Sequence, residues 1–397
     1  MTEPVYIQRL AAFLPGQAIA NNDMEAVLGQ VGAQPSRARR LVLRSNGIRT
    51  RYYAIDPHSG AVTHNNAQLT ANAVRRLTTT DWAIDAIDLL ACGTSTPDQI
   101  MPGHASMVHA ELGNPACEIA SLAGICCSGV SALRYAMLAV AAGVADQAVA
   151  TGSEQVSSLM RAGMFDDDAE THTAALRQQP ERAFHRDFLR WMLSDGAGAM
   201  LLRRTPAPDT LSLRLNWIEQ FSFANTMPTC MYAGANKRAD GSLKGWREYD
   251  SPQSAARAGA FTLKQDVRLL NDNIANVSFR DGLAATRARR HFSACDVDWF
   301  VPHYSSEYFR PRLAAIMQDI DFVIPESRWF TNLTAVGNVG AASIYLMLEA
   351  LVASGNLAAG QNILCFVPES GRFATAFIHL TVVAPRQQTS AFAAHAT

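Results

Sequence analysis

The chain has 397 residues, 48% of them hydrophobic and 17% charged, with a formal net charge of −1. Length and apolar content suffice for one large core or two medium ones. Near-neutral charge removes the basic excess that nucleic-acid binding needs, and no uninterrupted apolar run approaches the ~18 residues of a membrane span.

The N-terminal "MTEPVYIQRLAAFLPG" has no basic region ahead of an apolar one, so no signal peptide is expected. The seven cysteines (92, 117, 126, 127, 230, 295, 365) are odd in number and lack CxxC spacing. That argues against a disulfide framework and a zinc site, and for a cytoplasmic chain with reduced thiols. A basic run, "SRARRLVLRSNGIRTRYY" (36–53), contains Arg44 and Arg49. It reads as a solvated face or as a seat for a phosphate-bearing ligand.

Further along, the chain repeats itself. "IDLLACGTS" (87–95) and "VDWFVPHYS" (297–305) are each an acidic residue, an apolar strand and a polar loop. "CSGVSALRYAMLAVAAG" (127–143) matches "NVGAASIYLMLEALVASG" (338–355) with one gap, so that Gly129 answers Gly340 and Leu133 answers Ile344. Another apolar strand follows each, "QAVATGSE" (147–154) and "NILCFVPES" (362–370). Both helical segments are apolar nearly all round, which marks buried helices. Two similar α/β halves, helices meeting in the middle, are the expected architecture. The halves are expected at 1–205, with the cysteine pair, and 206–397, with His303 and Asn338.

The repeat superposes Cys127 on Asn338, each at the start of its half's buried helix, and sets His303 at a strand C-terminus. Loops at strand C-termini and helix N-termini gather at one end of an α/β sheet, so the three are expected to converge. A helix N-terminus stabilises a thiolate, and Cys127, followed by Ser-Gly, is expected to face the site while Cys126 turns into packing. Taken singly, each has a plainer reading: a buried cysteine, a loop histidine, an N-cap asparagine. Together they suit acyl transfer. Cys127 would take an acyl group from a thioester, and His303 and Asn338 would donate to the enolate oxygen of a second one. The N–H groups of Cys127 and of Gly371, in "PESGRF" (368–373), are the candidate oxyanion hole. Glu154 is either a second general base, if burial raises its pKa, or a solvated loop residue. "LSDGAGAMLL" (193–202) reads as close backbone packing.

The "CSG", "VPH", "GN-x-GAAS", "SDGAGA" and "NGIRTR" stretches resemble the ketoacyl-acyl carrier protein synthases of the third, initiating class. The resemblance covers residues 5–385. It implies a thiolase fold: a homodimeric, five-layer αβαβα protein with two buried central helices, with Cys127 as nucleophile and His303 and Asn338 as its polar partners. It implies acyl carrier protein or coenzyme A thioesters as substrates, and no cofactor or metal. Arg44, Arg49 and Arg310 are the candidates for holding the carrier.

The chain departs from that family in extra material at 155–192 and 218–257, and in "ESGRF" where consecutive glycines are usual. "CGTSTPDQIMPGHASMVHAELGNP" and "FLRWMLSDGAGAM" are similar to the ketosynthases that make dialkylresorcinol precursors. That likeness implies joining of an acyl and a β-ketoacyl thioester and closure of a cyclohexane-1,3-dione. A chain-initiating synthase using a malonyl thioester, a non-condensing acyltransferase and a partner subunit are the alternatives.

Overall fold

A computed structural model describes residues 3–31, 39–165 and 188–386. Much of the first extra segment, 166–187, and Arg37 of the basic run lie outside these. Nine strands form one mixed sheet: β1 (Val5–Phe13), β2 (Leu89–Thr94), β3 (Glu118–Ala123), β4 (Ala148–Glu154), β5 (Gly196–Arg203), β6 (Ser212–Ser222), β7 (Trp299–Pro302), β8 (Asn362–Glu369) and β9 (Ala374–Val383). Their order is β7-β8-β9-β6-β1-β5-β4-β2-β3.

The internal repeat is visible in the pairing. β2 and β4 run parallel, with helix α1 (Cys126–Ala141) between them in the chain; β7 and β8 run parallel, with helix α2 (Ser343–Ala353) between them. β1 holds the halves together, antiparallel to β5 along most of its length and to β6 only over Val5–Ile7.

The core lies where the repeat predicts. Val130, Leu133 and Ala136 of α1 share one apolar cluster with Ile344, Tyr345 and Leu348 of α2 and with β8. Close approach requires two of the glycines. A Cβ on Gly129 or on Gly152 would come within 2.2 Å of the Ala341 carbonyl oxygen. The Tyr345 hydroxyl then donates to the Gly129 carbonyl at 2.7 Å. "SDGAGA" packs as expected: a Cβ on Gly198 would meet Tyr345 at 2.2 Å.

One expectation is corrected. Asn338 does not cap the second central helix. A 3₁₀ turn at Gly340–Ala342 intervenes, and α2 begins at Ser343 with Ala342 at its N-cap. The glycines of "GN-x-G" explain this: Gly337 and Gly340 adopt φ values of 80° and 51°, which break the helical path.

Candidate active site

The C-terminal ends of the parallel strands gather at one end of the sheet, as such topologies require. β4 ends in Glu154, β2 runs into Ser95 and Thr96, β7 into His303, and β8 into Glu369 and Ser370. The start of α1 reaches the same place. Together they bound a cavity of ≈ 360 Å³ whose polar wall includes Cys126, Glu154, His303 and Asn338. The expected convergence of both halves therefore occurs, but through a different cysteine.

Cys126 lines the cavity, and Cys127 is 7% exposed, with its thiol donating to the Val367 carbonyl at 3.4 Å. The reason is helical geometry. Residues three apart share a helix face, whereas neighbours point about 100° apart. Gly129 abuts Ala341 of the second half, and Cys126, one turn earlier, lies on the same helix face and lines the cavity with Asn338 and Gly340. Cys127 points at β8 instead. The expected orientations of the two thiols are thus exchanged.

Burial pushes both thiols well above the ordinary 9.0, and the Glu369 carboxylate adds to it. Neither rests as a thiolate, so transfer from Cys126 needs a proton acceptor. His303 is the neutral imidazole in the same cavity. It is 3% exposed, burial lowers its pKa to about 4, and it stands as neutral imidazole at physiological pH. Its backbone N–H donates to the Phe366 carbonyl at 2.8 Å, extending the β7–β8 ladder by one residue and fixing its position.

Asn338 is held by the segment before β5. Its N–H donates to the Met192 carbonyl and its carbonyl accepts from Ser194, at 3.0 and 2.9 Å. Its Oδ1 accepts the Gly340 N–H at 2.9 Å, which directs the Nδ2 donors elsewhere.

Glu154 is not a solvated loop residue. It is 1% exposed. One carboxylate oxygen accepts from the Ser95 and Ala341 N–H groups at 3.1 and 3.2 Å; the other accepts from the Ser95 and Thr96 hydroxyls, both at 2.7 Å. Burial raises its pKa from 4.5 to about 7 against the pull of those four donors. A Cβ on Gly340 would press within 3.0 Å of it.

The expected oxyanion hole is not assembled as predicted. The Cys127 N–H donates to Glu369 Oε2 at 2.9 Å. Gly371 turns its carbonyl to the Cys230 N–H at 3.0 Å, and the cavity wall here is Pro368 and Ser370. Glu369 and Ser370 stand where the resemblance leads one to expect glycines. Of the candidate carrier contacts, Arg44 and Arg49 are exposed. Arg310 is engaged: its Nε donates to Glu326 at 2.6 Å and its guanidinium lies 5.3 Å from the Trp329 ring centroid.

The rest of the wall is apolar, with Leu159, Leu189 and Met192 from the first extra segment and Met231 from the second. The second is anchored on the β8 loop by the Cys230 and Met231 amides, which donate to Gly371 and Ser370. Sequence reading did not single out Ser95, Thr96 or Glu369. Their signal was positional, each standing at a strand's C-terminal end.

In fold the chain is similar to solved 3-oxoacyl-(acyl-carrier-protein) synthase III structures, which are 18% and 20% identical to it. Residues 288–378 match the family described as 3-oxoacyl-[acyl-carrier-protein (ACP)] synthase III C terminal. The chain is 24% identical over 368 residues to the beta-ketoacyl-[acyl-carrier-protein] synthase III of Xanthomonas oryzae pv. oryzae, covering 92% of this chain and 95% of that one. Among solved structures, a tetronic acid condensing enzyme superposes with TM-score 0.70 at 22% identity, over 95% of this chain and 99% of that one. OleA of Xanthomonas campestris does so with TM-score 0.69 at 20% identity, over 96% and 97%. These structural likenesses carry the fold.

Proposed function

We propose that the protein condenses two acyl thioesters through an acyl-Cys126 intermediate. The observation that carries this reading is that Cys126, His303, Asn338 and Glu154 line one cavity. In the first step His303 takes the thiol proton, the sulfur attacks the thioester carbonyl, and the carrier thiol leaves with a proton. In the second, His303, neutral again, takes the proton from the carbon between the two carbonyls of a β-ketoacyl thioester, and that carbon attacks the acyl carbonyl. The protonated His303 and Asn338 donate to the oxygen on which charge develops. The new C–C bond forms, the bond between the acyl carbon and the Cys126 sulfur breaks, and the proton passes from His303 to that sulfur.

A third step, closure to a cyclohexane-1,3-dione, extends this reading. Glu154, with a pKa near neutrality, is the base available for it. The apolar wall from the two extra segments supports long acyl chains as substrates. Acyl carrier protein is the proposed partner, with Arg44 and Arg49 as exposed positive charges for it or for a coenzyme A phosphate.

A homodimer is also proposed. β3 is an edge strand with Ile119 39% exposed, and Leu138 of the adjacent α1 is 53% exposed. An open apolar edge of this kind is a template for a second chain.

The test is product analysis with an acyl thioester and a β-ketoacyl thioester, both carrier-bound. A product joining both chains supports the condensation, and a cyclic dione supports the closure. Condensation with malonyl thioester alone would replace this reading with chain initiation, and acyl transfer to an alcohol or amine would replace it with a non-condensing acyltransferase.

A further inference from the structure

Glu369 ends β8, between Pro368 and Ser370, both in the cavity wall. Its carboxylate reaches behind that wall to the start of α1. Oε2 accepts the Ile125 N–H at 3.0 Å and the Cys127 N–H at 2.9 Å, the N–H groups of the residues before and after Cys126. Both glycines lie beside the carboxylate: a Cβ on Gly124 would lie 3.6 Å from Oε2, and one on Gly371 would lie 3.4 Å from Oε1, ordinary contact distances. The turn it grips is irregular. Ile125 has φ −111° and ψ −119°, outside helix and strand, and Gly124 has φ 159°.

Amides at a helix start lack intrahelical partners, and an anion there is favourable for the helix. The same charge opposes a thiolate beside it. We propose that Glu369 is a positioning residue for Cys126, clamping the amides on either side of it and holding its thiol protonated until substrate fills the cavity. The clamp crosses between the two halves of the chain, so it also fixes the cysteine relative to His303. The groups facing the Cys126 thiol are Glu369 from β8, Glu154 from β4, Cys127 beside it and His303 across the cavity. Burial raises the Glu369 carboxyl as well, and the two amides partly offset that.

The inference rests on the ketosynthase reading for its second arm only. The first arm is alkylation of full-length enzyme by iodoacetamide across pH, mapped to Cys126 by peptide mass spectrometry. Glu369→Gln keeps an acceptor oxygen for both amides and removes the charge. Alkylation at pH 8 is expected to rise about tenfold as the thiolate fraction grows, with the profile displaced toward lower pH. A profile coincident with wild type would overturn the charge role.

The second arm is the rate of acyl loading from an acyl-coenzyme A. Glu369→Ala removes clamp and charge, and loading is expected to fall at least tenfold and be restored by Glu369→Gln. Unchanged loading in Glu369→Ala would overturn the positioning role. If Glu369→Gln does not fold, Glu369→Asp serves, with charge kept and reach shortened: loading falls while the alkylation profile stays near wild type, and undiminished loading refutes the clamp. Absence of loading in every protein, wild type included, would count against the ketosynthase reading and leave the alkylation arm standing.

Discussion

Replacing Glu154 by glutamine isolates the energetic consequence of burying this carboxylate. The two oxygens face different donors, backbone N–H groups of Ser95 and Ala341 on one side and hydroxyls of Ser95 and Thr96 on the other. A glutamine can set its oxygen toward the N–H groups and its NH₂ toward the hydroxyls, which rotate to accept. The packing is therefore retained and only the ionisation is lost. Glu154 has its folded pKa raised from 4.5 to about 7. The stability this contributes is fully present below 4.5 and is lost as pH rises through about 7. Between pH 5 and pH 8 the loss amounts to roughly 2 to 3 kcal/mol. Asp195, raised to about 6, and His104, lowered to about 4, also shape the wild-type curve, but they are common to both proteins. Urea unfolding of wild type and Glu154→Gln at the two pH values gives the difference directly. The variant is expected to gain stability on wild type by that amount on going from pH 5 to pH 8. An equal difference at both pH values would refute a buried, shifted carboxyl.

Other predictions test the chemistry and the packing. Glu154→Gln is expected to condense thioesters better than it closes the ring, as read by the ratio of linear to cyclic product; equal losses in both would make the residue structural. His303→Gln removes the proton acceptor and an enolate donor, and condensation is expected to fall by about 10²-fold or more; in wild type, the imidazole NMR signal of His303 titrates near 4, not near 6.5. Gly152→Ala drives a methyl to within 2.2 Å of the Ala341 carbonyl, and a loss of at least about 2 kcal/mol is expected on thermal or urea unfolding. Leu189→Trp fills part of the apolar wall and is expected to shorten the longest acyl chain loaded while leaving acetyl loading intact, measured by intact mass across a chain-length series.

Much of this was legible in the residues because it depends on periodicity. The paired stretches at 87–95 and 297–305 became β2 and β7, and the two apolar segments became the central helices, since a helix without a polar face has nowhere to go but between layers. His303 and Asn338 came to the cavity because strand ends and helix starts congregate there. The sequence pointed to Cys127, whereas Cys126 lines the cavity, and a signal for that placement was present. Gly129, matched with Gly340 across the repeat, marks the face turned to the other half, and Cys126 lies one turn before it. The short "CSG" word drew attention to the residue next to small neighbours instead of the residue on that face. Glu369 was illegible for a different reason. Its two amide partners are 244 and 242 residues away in sequence, and nothing local announces a carboxylate that caps a helix from the other half. The expected oxyanion hole failed with it, because the donor assigned to Cys127 is the one Glu369 takes.

The most direct measurement of the central claim is the site of acylation. Wild type, Cys126→Ala and Cys127→Ala are incubated with an acyl-coenzyme A, quenched in acid, digested and mapped by mass spectrometry. The account predicts the acyl group on Cys126 in wild type, its retention in Cys127→Ala and its loss in Cys126→Ala. An acyl group found on Cys127, with Cys126→Ala still loading, would contradict it.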